Sequence, residues 1–177
     1  MRFVGNIEAK TDAKGRVFLP SAFRKLLQTA AEEGLVLRKD IFQPCLVLYP
    51  QSVWDEQLNL LRSRLNRWNA QHQQLFRQFV SDVEQLTLDG NGRFLIPRRY
   101  MKMANIESAV RFIGMDDTIE IWNADTANGA FMDADAFAEG AALAAKADNA
   151  GAAALLADAE HKKRAAAPQK KRYDFDF

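Results

Sequence analysis

A chain of 177 residues is long enough for one ordinary domain or two small lobes sharing a core, and 48% apolar content with 12 Phe supplies that core. No apolar run reaches the length of a membrane span, one Cys and two His are too few for a metal centre, and Met1-Arg2-Phe3-Val4-Gly5 enters strand-like sequence without signal-peptide architecture, so a cytoplasmic protein is expected. The net charge of +1 hides a division: residues 1–28 carry six basic groups against two acidic, residues 89–102 four against one, and residues 116–139 seven acidic and no basic.

In chain order, residues 3–10 read as a short strand and 16–19 as a second, closed by Pro20, which cannot donate to a ladder. Ser21 is the expected N-cap of a helix running to about Ala31, with Phe23, Leu26, Leu27 and Ala30 on one face and Gly34 as its stop. Strands follow at 35–38 and 45–49, the second stopped by Pro50; Cys45 lies in an apolar run and is expected as a reduced core residue. Ser52 and Asp55 then open a helical linker in capping-box style. Across it Trp54, Leu58, Leu61, Leu65, Trp68, His72, Leu75 and Phe79 recur at four- and three-residue spacings. Such a stripe suits one helix, or two broken near 66–69, packed on the core and on a neighbouring subunit; His72 is expected as a packed or rim histidine. The second half offers strands at 83–88, 93–96, 109–113 and 118–122, with a short helix at 98–104. A further helix is expected over 133–146. Residues 148–177 are Ala-rich with two basic triplets and read as a mobile tail.

One stretch organises this order. Asp12-Ala13-Lys14-Gly15-Arg16 recurs as Asp89-Gly90-Asn91-Gly92-Arg93, 77 positions later. The copy extends outward: Val17-Phe18-Leu19-Pro20 is echoed by Phe94-Leu95-Ile96-Pro97, Phe23 by Tyr100, and Leu46-Val47-Leu48-Tyr49 by Ile119-Glu120-Ile121-Trp122. The chain therefore holds two structurally equivalent halves. In each loop the Gly permits a reversal, and a carboxylate four residues before the Arg can hold its guanidinium and fix the direction of its fork. An incidental surface ion pair would explain one copy. Two copies, each followed by an apolar strand and Pro, point to a device.

The ordered pair of Asp-x-x-Gly-Arg loops, each leading into an apolar strand, Pro and an aromatic, with a Trp-bearing helix between them, resembles the MraZ family over residues 1–145. These are bacterial transcriptional regulators associated with the division and cell-wall gene cluster, built from two SpoVT–AbrB-type repeats. The resemblance implies an α+β fold. Two tandem AbrB-like swapped-hairpin repeats, at 5–51 and 82–125, would form one pseudo-twofold, small β-barrel-like domain with the loops side by side. A helical linker (52–81), a short helical extension (126–147) and the tail (148–177) complete it. It also implies a ring homo-oligomer, nucleoid-associated, that binds direct repeats in promoter double-stranded DNA and represses its own operon. The family's DNA-contacting Arg falls on Arg16, with Lys14 beside it and Arg93 as the second-copy equivalent.

In this reading Asp12 and Asp89 orient the two arginines, while Lys10, Lys14, Arg24 and Arg2 neutralise phosphates. Asn91 replaces Lys14 in the second copy, so the first loop is expected to dominate. No cofactor, metal, membrane or small-molecule substrate is expected. A structural ring protein that docks other proteins on the acidic 116–139 surface or on residues 173–177 is the alternative. An enzyme with Asp12 and Asp89 as paired carboxylates is not expected, because each has an Arg in its own loop to keep it ionised and occupied.

Overall fold

The computed structural model describes residues 1–147; the tail expected at 148–177 lies outside the described residues. Two compact units are present, Met1–Asn128 and a second beginning at Gly129. The first is a mixed α/β unit with β1 (Asn6–Lys10), β2 (Arg16–Phe18), α1 (Ser21–Thr29), β3 (Leu35–Lys39), β4 (Leu46–Pro50), α2 (Gln51–Arg64), α3 (Ala70–Ser81), β5 (Val83–Leu86), β6 (Arg93–Leu95), α4 (Arg98–Met103), β7 (Ala109–Met115) and β8 (Thr118–Asn123). In the second unit α5 (Ala134–Ala147) starts where Asp133 accepts a hydrogen bond from the Ala136 amide at 2.8 Å.

Six strands make an antiparallel sheet in the order β1-β7-β8-β4-β3-β5, and β2 pairs with β6 in a separate antiparallel ribbon. Exchange each strand for its counterpart in the other half and the order reads the same from the opposite edge. The first strand of each half pairs with the third strand of the other, β1 with β7 and β5 with β3. Neither half completes its sheet alone.

Period-2 alternation sorts the side chains onto two faces. Leu35, Leu37, Leu46, Leu48, Ile119 and Ile121 point to the main core, where they meet Val17 and Phe94 of the ribbon, Phe23 and Leu27 of α1, and Tyr100 of α4. Burial of each such large side chain is worth about 1.5–3 kcal/mol. Val36, Val47 and Tyr49 point the other way, against Trp54 of α2 and, half-buried, Phe79 of α3. The Trp54 and Phe79 rings stack at 5.3 Å. The sheet thus lies between the helical hairpin and the layer that carries the ribbon. Cys45 is buried at the entry to β4, and desolvation pushes its thiol up to about 12.

Several local expectations are corrected. Ser21 and Ser52 cap nothing: α1, α2 and α4 each follow a proline, Pro20, Pro50 and Pro97, with φ between −50° and −58° and no side-chain cap bond. The fixed proline torsion makes the strand-to-helix corner that a capping side chain would otherwise organise. The Ser52 hydroxyl donates instead to Glu32, and Asp55 accepts from the Gln51 side chain at 2.8 Å. Gly34 is not the stop of α1; Ala31 is left-handed at φ 54°, while the Glu32 amide closes on the Leu27 carbonyl at 3.0 Å. Asn105 repeats this after α4, at φ 52°. The first strand begins at Asn6, after Gly5 at φ 109°, and Phe3 keeps only an isolated bridge to Asp116.

The striped linker is two helices. Leu65 turns to extended backbone, the Asn66 side chain accepts from the Trp68 amide at 2.9 Å, and Asn69 caps α3 through the His72 amide at 3.1 Å. His72 Nδ1 accepts from the Asn66 amide at 2.9 Å, so its ring ties down the turn. The stripe divides accordingly. Trp54 and Phe79 reach the sheet, Leu58, Leu61, Leu65 and His72 are half-buried, and Leu75 is exposed, as is Trp68 at the turn, by 94%; Leu60, off the stripe, is exposed too.

Candidate nucleic-acid interface

The two loops have the same construction. In the first, Asp12 Oδ1 accepts the amides of Lys14 and Arg16, both at 2.9 Å, and Oδ2 accepts Arg16 Nε at 2.7 Å. The Gly15 amide closes on the Asp12 carbonyl at 2.9 Å, with Gly15 at φ 86°. In the second, Asp89 Oδ1 accepts the amides of Asn91 at 2.9 Å and Arg93 at 3.0 Å, and Oδ2 accepts Arg93 Nε at 2.9 Å. Gly92 closes on Asp89 at 2.8 Å, with φ 80°. Only glycine adopts such angles without strain. The backbone bond from Arg16 above all, with that from Lys14 and the guanidinium, holds the Asp12 carboxyl below the usual range. For Asp89 the Arg93 amide leads in the same way. Both carboxylates therefore stay charged at neutral pH.

Backbone bonds cross between the halves and lock the loops to the ribbon: Ile96 N donates to Gly15 O at 2.9 Å, and Leu19 N to Gly92 O at 3.0 Å. The ribbon register places Arg16 opposite Leu95, Val17 opposite Phe94 and Phe18 opposite Arg93. Val17 and Phe94 are buried, so alternation sends Arg16, Phe18, Arg93 and Leu95 to the same outer face. On that diagonal the two arginine Cα atoms lie about 8 Å apart, two residues along and one strand across. The side chains of Arg16 and Arg93 are 40% and 26% exposed, and the Arg93 guanidinium lies 5.6 Å from the Phe18 ring centre. Each Asp accepts from Nε, which leaves the terminal nitrogens of each guanidinium without a hydrogen bond among the described residues and available as a donor pair.

The remaining expected residues divide. Lys14 is exposed at the tip of the first loop and lines an open cleft of about 380 Å³ with Arg98, Lys102 and Glu107. Lys10 is exposed at the end of β1, opposite Ala109 and two residues before Asp12. Arg2 pairs with Asp116, at 3.5 Å, at the β7–β8 turn, and no contact joins it to the ribbon among the described residues. Arg24 does not serve its own half: its Nη1 donates to Asn91 O at 3.3 Å, against the second loop. Sequence reasoning missed Arg98 and Lys102 as neighbours of Lys14, because the second half's helix had to fold against the first half's loop to bring them there.

An interleaved antiparallel sheet with a twinned Asp–Arg ribbon defines a two-repeat α/β protein, and comparison with known proteins places it. The family described as "MraZ protein" matches residues 3–78 and 79–129. The chain is 68% identical over 132 residues to Transcriptional regulator MraZ of Phocaeicola vulgatus, covering 75% of this chain and 86% of that one. Proteins of the same name from Bacteroides fragilis and Bacteroides thetaiotaomicron are 62% and 61% identical over 143 residues, which is 81% of this chain and 89% and 90% of theirs. This chain belongs to the MraZ family.

Proposed function

We propose that the chain is a sequence-specific DNA-binding transcriptional regulator that represses its own division and cell-wall operon, acting as a ring oligomer on direct DNA repeats. The observation that carries this reading is the pair of acid-held arginines on one exposed face of a two-stranded ribbon. A β-ribbon fits the major groove of B-DNA, where a guanidinium donates two bonds to guanine O6 and N7. Fixing Nε to a charged carboxylate orients the donor pair before DNA arrives, so less rotamer freedom is lost on binding. Lys14 and Lys10 supply phosphate contacts that set position without reading sequence. Asp12, Asp89, Arg16, Lys14, Lys10, Arg24 and Arg93 make up the proposed site.

One protomer offers few cations, and a ring engaging several DNA repeats multiplies effective concentration. Exposed Leu60 and Leu75 on the linker helices, with Trp68 at the turn between them, support subunit packing. The cross-paired halves fit one swapped-hairpin, barrel-like domain, with repeats at 5–51 and 82–125 about the 52–81 linker. No described helix is long and apolar enough to cross a membrane. The relatives' shared name speaks of transcription, and the reading places this chain in the cytoplasm on the nucleoid.

Selection of bound fragments from random-sequence DNA tests the reading. Recovery of a short motif repeated in one orientation, bound with an affinity that falls steeply with salt, is the expected result. Recovery of no enriched motif would contradict it.

A further inference from the structure

We propose that Arg24 is the second loop's phosphate-binding cation, delivered from the first repeat to stand in for the lysine that Asn91 replaces. The inference rests on the DNA reading above and deepens it. Arg24 is the fourth residue after Pro20 in α1, and its counterpart, fourth after Pro97 in α4, is Met101. Each lies over the loop of the other half. A Cβ built on Gly15 would meet Met101 Sδ at 3.1 Å, and one built on Gly92 would run into Arg24 Nη1, with Cζ at 2.9 Å.

Packing on a glycine asks only for a flexible apolar side chain, and Met101 provides one. Arg24 brings a charge as well. Its guanidinium has five N–H donors, yet among the described residues it makes one hydrogen bond, to Asn91 O, and its Nε is buried without a partner. No carboxylate pairs with it among the described residues. A cation held against a loop by its stem, with most of its donors unspent, is arranged for an anion that comes from outside. The first loop carries its own cation at Lys14 and needs none from Met101; the second has Asn91 and receives Arg24. Each loop then presents one phosphate-directed cation beside one oriented arginine, although a single repeat's sequence shows this only for the first.

The test is the salt dependence of binding by the full chain, using a labelled duplex recovered by the unaltered protein from random-sequence DNA. Arg24→Met copies the arrangement already present at Gly15. It is expected to keep the melting temperature and to make the slope of log affinity against log salt shallower by about 1 for each engaged protomer. Asn91→Lys in the Arg24→Met background is expected to restore the slope, and Met101→Arg alone to steepen it by about 1. Unchanged slopes in Arg24→Met and Met101→Arg, with the unaltered chain binding in a salt-dependent way, would overturn the role of Arg24 and leave the DNA reading standing. Should Arg24→Met fail to fold, Met101→Arg decides in the same way. Salt-insensitive binding by the unaltered chain would overturn both.

Discussion

The two loops share every backbone bond and differ in what surrounds them. The first carries its own lysine, and its glycine is pressed against backbone: a Cβ on Gly15 would stand 2.8 Å from Ile96 O. The second has Asn91, and its glycine lies against a movable side chain, Arg24. Duplication thus preserved the geometry that aims an arginine and let the supply of neighbouring charge diverge. The aiming device is a property of five residues. The charge around it is a property of how the halves interleave.

Substitutions that exaggerate or erase the difference follow from it. The largest effect on stability is expected at the glycines. A side chain forced into the left-handed region costs about 1–3 kcal/mol, and Gly15→Ala adds a collision with backbone that cannot move aside. Gly92→Ala meets the Arg24 side chain first, which can move aside, so it should lose less; urea unfolding of both variants checks the order, and equal losses would mean the loops are packed alike. A smaller effect, on binding, is expected from Lys14→Asn, which gives the first loop the second's sequence at that position. Its salt slope should fall by about 1 for each engaged protomer with the motif preference kept, because a phosphate contact positions without reading bases. Enrichment of a different motif would instead make Lys14 a base reader.

The smallest effect is on acid response. Asp12 and Asp89 both have folded-state pKa values below their unfolded ones, held down chiefly by the Arg16 and Arg93 amides. The stability they add is therefore complete above the unfolded aspartate value, about 3.9, and is lost as pH falls through the folded one. Carboxyl NMR titration should find both midpoints below the ordinary aspartate value. Asp12→Asn should remove the acid sensitivity of the first loop alone. Ordinary midpoints at both would show that the carboxylates do not hold the arginines in solution.

Much of this was legible from residue patterns. The repeat is written in matched positions, and short apolar runs bounded by proline, such as Leu46-Val47-Leu48 before Pro50, gave strands. The proline corners deceived, because Ser21 and Ser52 look like caps while Pro20 and Pro50 already fix the turn. Ala31 deceived for the opposite reason: an alanine at φ 54° is held by the tertiary structure, and no local preference announces it. Trp68 fits the apolar stripe, yet Asn66 and Asn69 break the helix and leave it in solvent. At the site, the Asp12–Arg16 bond could be read from spacing four apart. The crossing of Arg24 to Asn91 spans 67 residues and depends on which strand pairs with which, information no local window contains.

The proposal that the oriented guanidinium on the ribbon face grips DNA meets its most direct test in a quantitative mobility shift of Arg16→Ala against the selected duplex. The variant should melt with the unaltered protein and form the same oligomer. It should lose at least about fivefold in affinity, the lower end of what one bidentate base contact supplies at about 1–3 kcal/mol. Several subunits on one duplex would multiply that loss. Unchanged affinity in a folded Arg16→Ala protein would contradict it.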